Sequence, residues 1–258
     1  MMREDITIIT GSREEYLAPL LCSWLASPNA GKWAIRIADI GQTSSAFRAA
    51  ASAIPHVAFL DLRSEFAASR RRYPHSSIAQ QSYITKVAAL LQCPTRWAFW
   101  LDHDCEVLGD LSPIAEHAIA SGRWLAAPSY ASFGMRKRIR RHATQNAAMV
   151  VDTHAPELRT WYETMHAWPD DEESLCAAFG GRSGVQKMIC NINRREWYLA
   201  PNHFPEINRG IHPAVVAMGR HANTPGAPLP AILHWGSPTA KPIFQARFPA
   251  WTKLTEEK

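Results

Sequence analysis

Apolar and polar positions follow two rhythms through the first hundred residues, and the switching between them predicts the architecture. Ile6-Thr7-Ile8-Ile9-Thr10 is a β-branched run closed by Gly11-Ser12, which reads as a strand entering a turn. Ser12, followed by Glu14 and Glu15, opens a helix, because carboxylates in a first turn complement the helix dipole. Leu17, Leu20, Leu21 and Trp24 give that helix an apolar face, and Pro28-Asn29 ends it. Trp33 to Ile40 predicts a second strand, Ser44 to Ala53 an Ala-rich helix, and Val57-Ala58-Phe59-Leu60 a third, buried strand. Arg70-Arg71-Arg72-Tyr73-Pro74 reads as a loop. Between Ser77 and Leu91, the positions Ile84, Val87, Ala88 and Leu91 recur at helical spacing and lead into an aromatic strand that ends at Asp102. Strands alternating with helices in this way predict a mostly parallel sheet covered on both faces.

Beyond Asp110 the rhythm loosens. A short helix is expected over Leu111 to Ala120, strands over Trp124 to Pro128 and Ala147 to Val151, and helices over Pro156 to Trp168 and Gly184 to Ile192. Trp197 to Ala200 and Ala231 to Leu233 read as further strands, while Ser129 to His142 and Ala167 to Gly184 read as loops. No linker interrupts the chain, so a single domain over 1–258 is expected.

The strongest chemical signal is Trp97-Ala98-Phe99-Trp100-Leu101-Asp102-His103-Asp104, an apolar strand that stops on two carboxylates. If the extended backbone continues, Asp102 and Asp104 leave on one face and His103 on the other, where it is structural. Two hard oxygens at a strand's carboxyl end suit Mg²⁺ or Mn²⁺ with open positions for phosphate oxygens. The plainer alternative is that the pair caps the strand end.

Composition narrows the class. Apolar residues make up 47% of the chain and charged residues 20%, enough for a packed core. The five cysteines are scattered and odd in number, with no C-x-x-C pair, which argues for reduced thiols and against zinc. No apolar run approaches the roughly 18 residues of a membrane span, and no signal-peptide pattern precedes the first strand, so a cytoplasmic location is expected. The net charge is +5, concentrated in Met135-Arg136-Lys137-Arg138-Ile139-Arg140-Arg141-His142. That run is either a solvated face or a surface for an anionic acceptor, a phosphorylated lipid or a membrane, with Arg136 to Arg141 as the peripheral contact. No nucleic-acid motif accompanies it.

Several ordered pieces resemble glycosyltransferase family 8, which includes the glycogenins and bacterial lipopolysaccharide galactosyl- and glucosyltransferases. They are Thr85 to Leu91, Trp97 to Val107, Asp110-Leu111-Ser112-Pro113-Ile114, Gln145 to Asp152, and Ile232 to Pro242. The resemblance implies a GT-A fold, an α/β Rossmann-like sheet with a smaller mixed sheet on the acceptor side. It divides the chain into a nucleotide-sugar half, 1–110, and an acceptor half, 111–258. It also implies transfer of a hexose from a UDP-sugar to a glycan, lipid-linked or protein hydroxyl, with retention, as in polysaccharide or lipopolysaccharide synthesis.

By the same resemblance Asp102, Asp104 and His234 hold Mn²⁺ or Mg²⁺. Thr10, Gly11 and Tyr16 match the uridine-binding strand end, Lys86 the basic residue facing phosphates and sugar, and Gly236 and Lys241 the diphosphate cradle. His103 and Asn146 complete the donor-binding set, and Gln186 takes a supporting catalytic role near the sugar. The chain departs from the family where an Asp-Gln pair becomes Val185-Gln186, and where Ser12 or Arg13 replaces an acid after the first strand. A non-catalytic sugar-nucleotide or glycan-binding protein and a sugar nucleotidyltransferase are the rival readings. The latter lacks support from Gly11-Ser12-Arg13, too thin for a triphosphate loop.

Overall fold

The β-branched run Ile6–Thr10 (β1) is an interior strand of a seven-stranded sheet, with a parallel neighbour on each side. A computed structural model describes residues 6–11, 13–129, 142–192, 197–199 and 230–236. After β1 come Glu14–Ala26 (α1), Ala34–Asp39 (β2), Ser45–Ser52 (α2), Val57–Asp61 (β3), Arg63–Arg72 (α3), Ile78–Leu91 (α4) and Trp97–Leu101 (β4). The second half contains Cys105–Val107 (β5), Ser112–Ala120 (α5), Leu125–Ala127 (β6), Ala148–Asp152 (β7), Pro156–Thr164 (α6), Asp171–Ala178 (α7) and Gly181–Met188 (α8). Ile189–Asn191 (β8), Tyr198–Leu199 (β9) and Ile232–His234 (β10) follow. The large sheet runs β3-β2-β1-β4-β7-β6-β8, with β7 antiparallel to both of its neighbours and the other pairs parallel.

All five residues of β4 are buried, and they alternate between two cores. Trp97, Phe99 and Leu101 join a cluster with Leu20, Trp24 and Trp33, while Ala98 and Trp100 join one with Val87, Leu158 and Trp161. A strand covered on both faces needs apolar residues on both, which explains the unbroken hydrophobic run. The parallel-sheet, helix-covered architecture is therefore as expected, and a small mixed sheet, β5-β10-β9, stands beside it.

The structure corrects several local expectations. Arg70, Arg71 and Arg72 form the last turn of α3, where cations complement the helix's negative end, and the turn to Pro74 follows. The segment from 167 to 184 holds α7, whose first turn is capped by Asp170 accepting from the backbone N–H groups of Glu172 and Glu173. The helix expected as far as Ile192 ends at Met188, and Ile189–Asn191 pairs with β6 at the sheet edge. No helix among the described residues is long and apolar enough to cross a membrane. The basic run Arg136 to Arg141 lies outside the described residues.

One buried side chain ties the two sheets together. Asn29 donates to the Gly109 carbonyl at 2.7 Å and accepts from the Leu111 backbone N–H at 2.9 Å. The segment it holds meets the start of β10, because Leu108 and Gly109 both donate to the Ala231 carbonyl at 2.8 and 3.2 Å. Asn29→Ala leaves a buried carbonyl and a buried N–H unpaired. We expect a loss of about 2–4 kcal/mol in urea unfolding, and an unchanged midpoint would show that the clamp does not matter.

Candidate active site

The carboxyl ends of β1 and β4 lie side by side, Thr10 opposite Leu101, and a cavity of about 400 Å³ opens above them. β4 stops at Leu101 because the chain turns: the Cys105 N–H donates to the Asp102 carbonyl at 2.9 Å. The two carboxylates therefore do not share a face through strand alternation, as the sequence suggested. They converge because the turn folds Asp104 back towards Asp102. The same turn brings His103 to the cavity wall instead of the far side. Its ring stacks on Tyr16 with centroids 5.0 Å apart and planes 13° from parallel. Gly11 permits that approach, since a Cβ there would meet His103 Nδ1 at 2.9 Å. The Arg13 guanidinium lies 5.4 Å from the Tyr16 ring centre.

Asp102, Asp104 and His234 each offer a ligand atom, and these atoms lie within 4.8 Å of one another. The turn and β10 deliver them together, because the Trp235 N–H donates to the Asp104 carbonyl at 2.8 Å and His234 pairs with Cys105 across the small sheet. Asp104 Oδ1 is 3.3 Å from His234 Nε2. Asp102 Oδ1 accepts from Trp100 Nε1 at 2.6 Å and faces Lys86 Nζ at 3.1 Å, which leaves Oδ2 as its open oxygen. Two carboxylates and an imidazole are a donor set that fits a divalent cation of the Mn²⁺ or Mg²⁺ kind.

Lys86 reaches the cavity from α4, but not as a free cation. Its ammonium is buried and faces three acceptors: Asp171 Oδ2 at 2.7 Å, the Asn146 carbonyl at 3.0 Å and Asp102 Oδ1 at 3.1 Å. Burial works against the charge, yet Asp102 and Asp171 outweigh it and hold the Lys86 pKa above the ordinary lysine range. Burial raises the pKa of Asp171, and Lys86 offsets that only in part. Lys86 thus orients Asp102 and neutralises Asp171 rather than presenting donors to phosphate.

Asn146 does offer a donor. Its Oδ1 accepts from the Thr144 hydroxyl at 2.8 Å, while its buried Nδ2 has no partner among the described residues and the residue lines the cavity. Gly236 also lines it. Thr10 is fully buried, its hydroxyl has no partner among the described residues, and it does not line the cavity. Gln186 does not line it either. It sits on α8, where its amide oxygen, after exchange with the nitrogen, accepts from the Arg182 guanidinium. Lys241 lies outside the described residues.

The acids that reach the cavity come from the start of α7, as Asp170, Asp171 and Glu172. Glu172 accepts from the Asn146 backbone N–H at 3.3 Å and lies 3.3 Å from His142 Nδ1. The sequence signal for them was the run Asp170-Asp171-Glu172-Glu173, a helix start.

The buried Lys86 charge gives a direct test. Lys86→Met strands Asp171 and Asp102 without a counter-charge, and breaking a buried pair costs about 3–5 kcal/mol. Adding Asp171→Asn should recover part of that loss. Equal urea midpoints for Lys86→Met and wild type would refute the pairing.

By sequence the chain matches no family model and no curated protein. By structure it is similar to the galactosyltransferase LgtC, solved with donor and acceptor sugar analogues. The two share 16% identity at a TM-score of 0.61, over 97% of this chain and 95% of that one. The glycosyltransferase GlyE of Streptococcus pneumoniae TIGR4 gives 13% identity and a TM-score of 0.60, over 97% of this chain and 62% of that one. Mouse xyloside xylosyltransferase 1 gives 12% and 0.53, over 91% and 98%. The fold of this chain is the GT-A fold of these glycosyltransferases.

Proposed function

We propose that the protein is a metal-dependent glycosyltransferase that moves a hexose from a nucleotide sugar, a UDP-sugar, to a hydroxyl acceptor. The observation that carries this reading is the convergence of Asp102, Asp104 and His234 at the floor of a cavity above the carboxyl ends of β1 and β4. That rim is where open α/β sheets bind ligands.

A divalent cation bound by these residues supplies Lewis-acid stabilisation of the departing diphosphate. The remaining residues bind and orient. Gly11 and His103 form the wall for the nucleoside, and Tyr16, which does not itself line the cavity, stacks on the His103 ring and holds it in place. Asn146 Nδ2 donates to an oxygen of the donor, and the Glu172 carboxylate accepts from sugar hydroxyls. Gly236, with Lys241 after it in the sequence, completes the diphosphate cradle. Retention rests on the resemblance to family 8. The acceptor oxygen bonds to the anomeric carbon as the bond to the diphosphate breaks, and the acceptor proton passes to the leaving phosphate. Residues 1–110 supply the strand ends beneath the donor, while Asn146, Glu172, His234 and Gly236 reach the same cavity from 111–258, the part that also takes a glycan, lipid-linked or protein hydroxyl. Gln186 has no part in this scheme, because it lies away from the cavity.

Thermal unfolding with UDP-, GDP-, ADP- and dTDP-sugars, each with and without Mn²⁺, tests the reading. A ligand at a hundredfold excess over its dissociation constant stabilises by about 2.7 kcal/mol. The shift should require both UDP and Mn²⁺, and the UDP-sugar should be hydrolysed slowly without acceptor. Asp104→Asn should fold, lose the Mn²⁺-dependent shift and lose turnover; undiminished transfer by the folded variant would overturn the assignment. Asn146→Ala should raise the donor KM about 2–10-fold, the equivalent of one hydrogen bond.

A further inference from the structure

His234 does two jobs that need its proton on different nitrogens. Its Nε2 lies 3.3 Å from Asp104 Oδ1, an arrangement that calls for Nε2–H donating to the carboxylate. As a cation ligand, Nε2 must instead be bare, and the ring proton must move to Nδ1. A buried Nδ1–H needs an acceptor, and the imidazole is only 7% exposed.

The structure supplies one. Tyr198, from β9 of the small sheet, is 1% exposed and places its hydroxyl 3.0 Å from His234 Nδ1. That hydroxyl donates to Gln145 Oε1 at 2.9 Å, so towards the imidazole its oxygen acts as an acceptor. Gln145 Nε2 lies 3.1 Å from the same Nδ1. With Nδ1 bare, the Gln145 amide donates to it; with Nδ1 protonated, the Tyr198 oxygen accepts from it. Each tautomer therefore finds one neighbour of the matching kind at Nδ1, Gln145 for the bare nitrogen and Tyr198 for the protonated one.

Resting on the metal-site reading above, we infer that Tyr198 and Gln145 are positioning residues that let His234 change tautomer, so that Nε2 is an Asp104 partner before the cation binds and a cation ligand after it. Neither residue offers an atom to the cation. Tyr198 gives the imidazole N–H of the bound form an acceptor, and Gln145 gives the bare Nδ1 of the ion-free form a donor. Outer-shell partners of this kind change metal affinity about 10–100-fold.

The test measures binding rather than turnover. Mn²⁺ affinity is read by electron paramagnetic resonance on the full chain, and the ring nitrogens of His234 are followed by ¹⁵N NMR during titration with Mg²⁺. In wild type the proton should sit on Nε2 without the ion and on Nδ1 with it. Tyr198→Phe keeps the ring and removes the acceptor; its Mn²⁺ dissociation constant should rise 10–100-fold while the melting temperature of the ion-free protein stays near that of wild type. Gln145→Leu, on the cavity wall, removes the donor that holds the ion-free tautomer, so its Mn²⁺ dissociation constant should move the opposite way, below that of wild type, and it decides the question if Tyr198→Phe does not fold. Affinities within twofold of wild type in a folded variant, or a His234 proton that stays on one nitrogen throughout, would overturn the clamp and leave the cation site standing. Wild type that takes up neither ion would overturn the site itself and the clamp with it.

Discussion

Negative charge held out of water is the constraint around which this fold is organised. Asp104 and Asp171 are 5% and 4% exposed, and Asp102 and Glu172 stand close by on the same cavity wall. One buried ammonium, Lys86, faces two of the four. Carboxylates at low exposure persist only with positive partners, and the excess here sits where the strands open towards solvent. That imbalance is what motivates the proposed cation seat at the rim.

The architecture was largely legible in the sequence because burial on both faces leaves a strong trace. The run Trp97 to Leu101 has no polar position, and Ile6 to Thr10 is almost as apolar, so both strands and the rim between them could be read directly. Helices α1 and α4 were equally clear from the spacing of their apolar residues; the Ser77–Gln80 capping box of α4 emerges only in the structure. The short elements were not. β5 is three residues long and includes Glu106, which is buried because Trp235 Nε1 donates to it at 2.9 Å from far along the chain. β8 exists because β6 offers it an edge, a fact that no local pattern records.

The site was legible in part, for the same reason. Asp102, Asp104 and His234 do come together, although the strand argument for the first two was wrong and a turn achieves it. Lys86 was read as a phosphate-facing cation because a helix lysine carries no sign of the Asp171 that claims it 85 positions later. Matching an Asp-Gln pair drew attention to Val185-Gln186 on α8, while the acids that reach the cavity open α7. Local pattern identifies residue types; long-range pairing decides which of them remain available.

The three residues Asp102, Asp104 and His234 come from the middle and the carboxyl end of the described chain, with Trp235 and the turn after β4 fastened by their own backbones. During synthesis from the amino end, the aspartates therefore emerge well before the imidazole that completes them. At about 5–20 residues per second, the interval on a ribosome is on the order of ten seconds. Throughout that interval the nascent chain can present only a loose pair of carboxylates, and on the proposed reading a cation would be held only after β10 has docked.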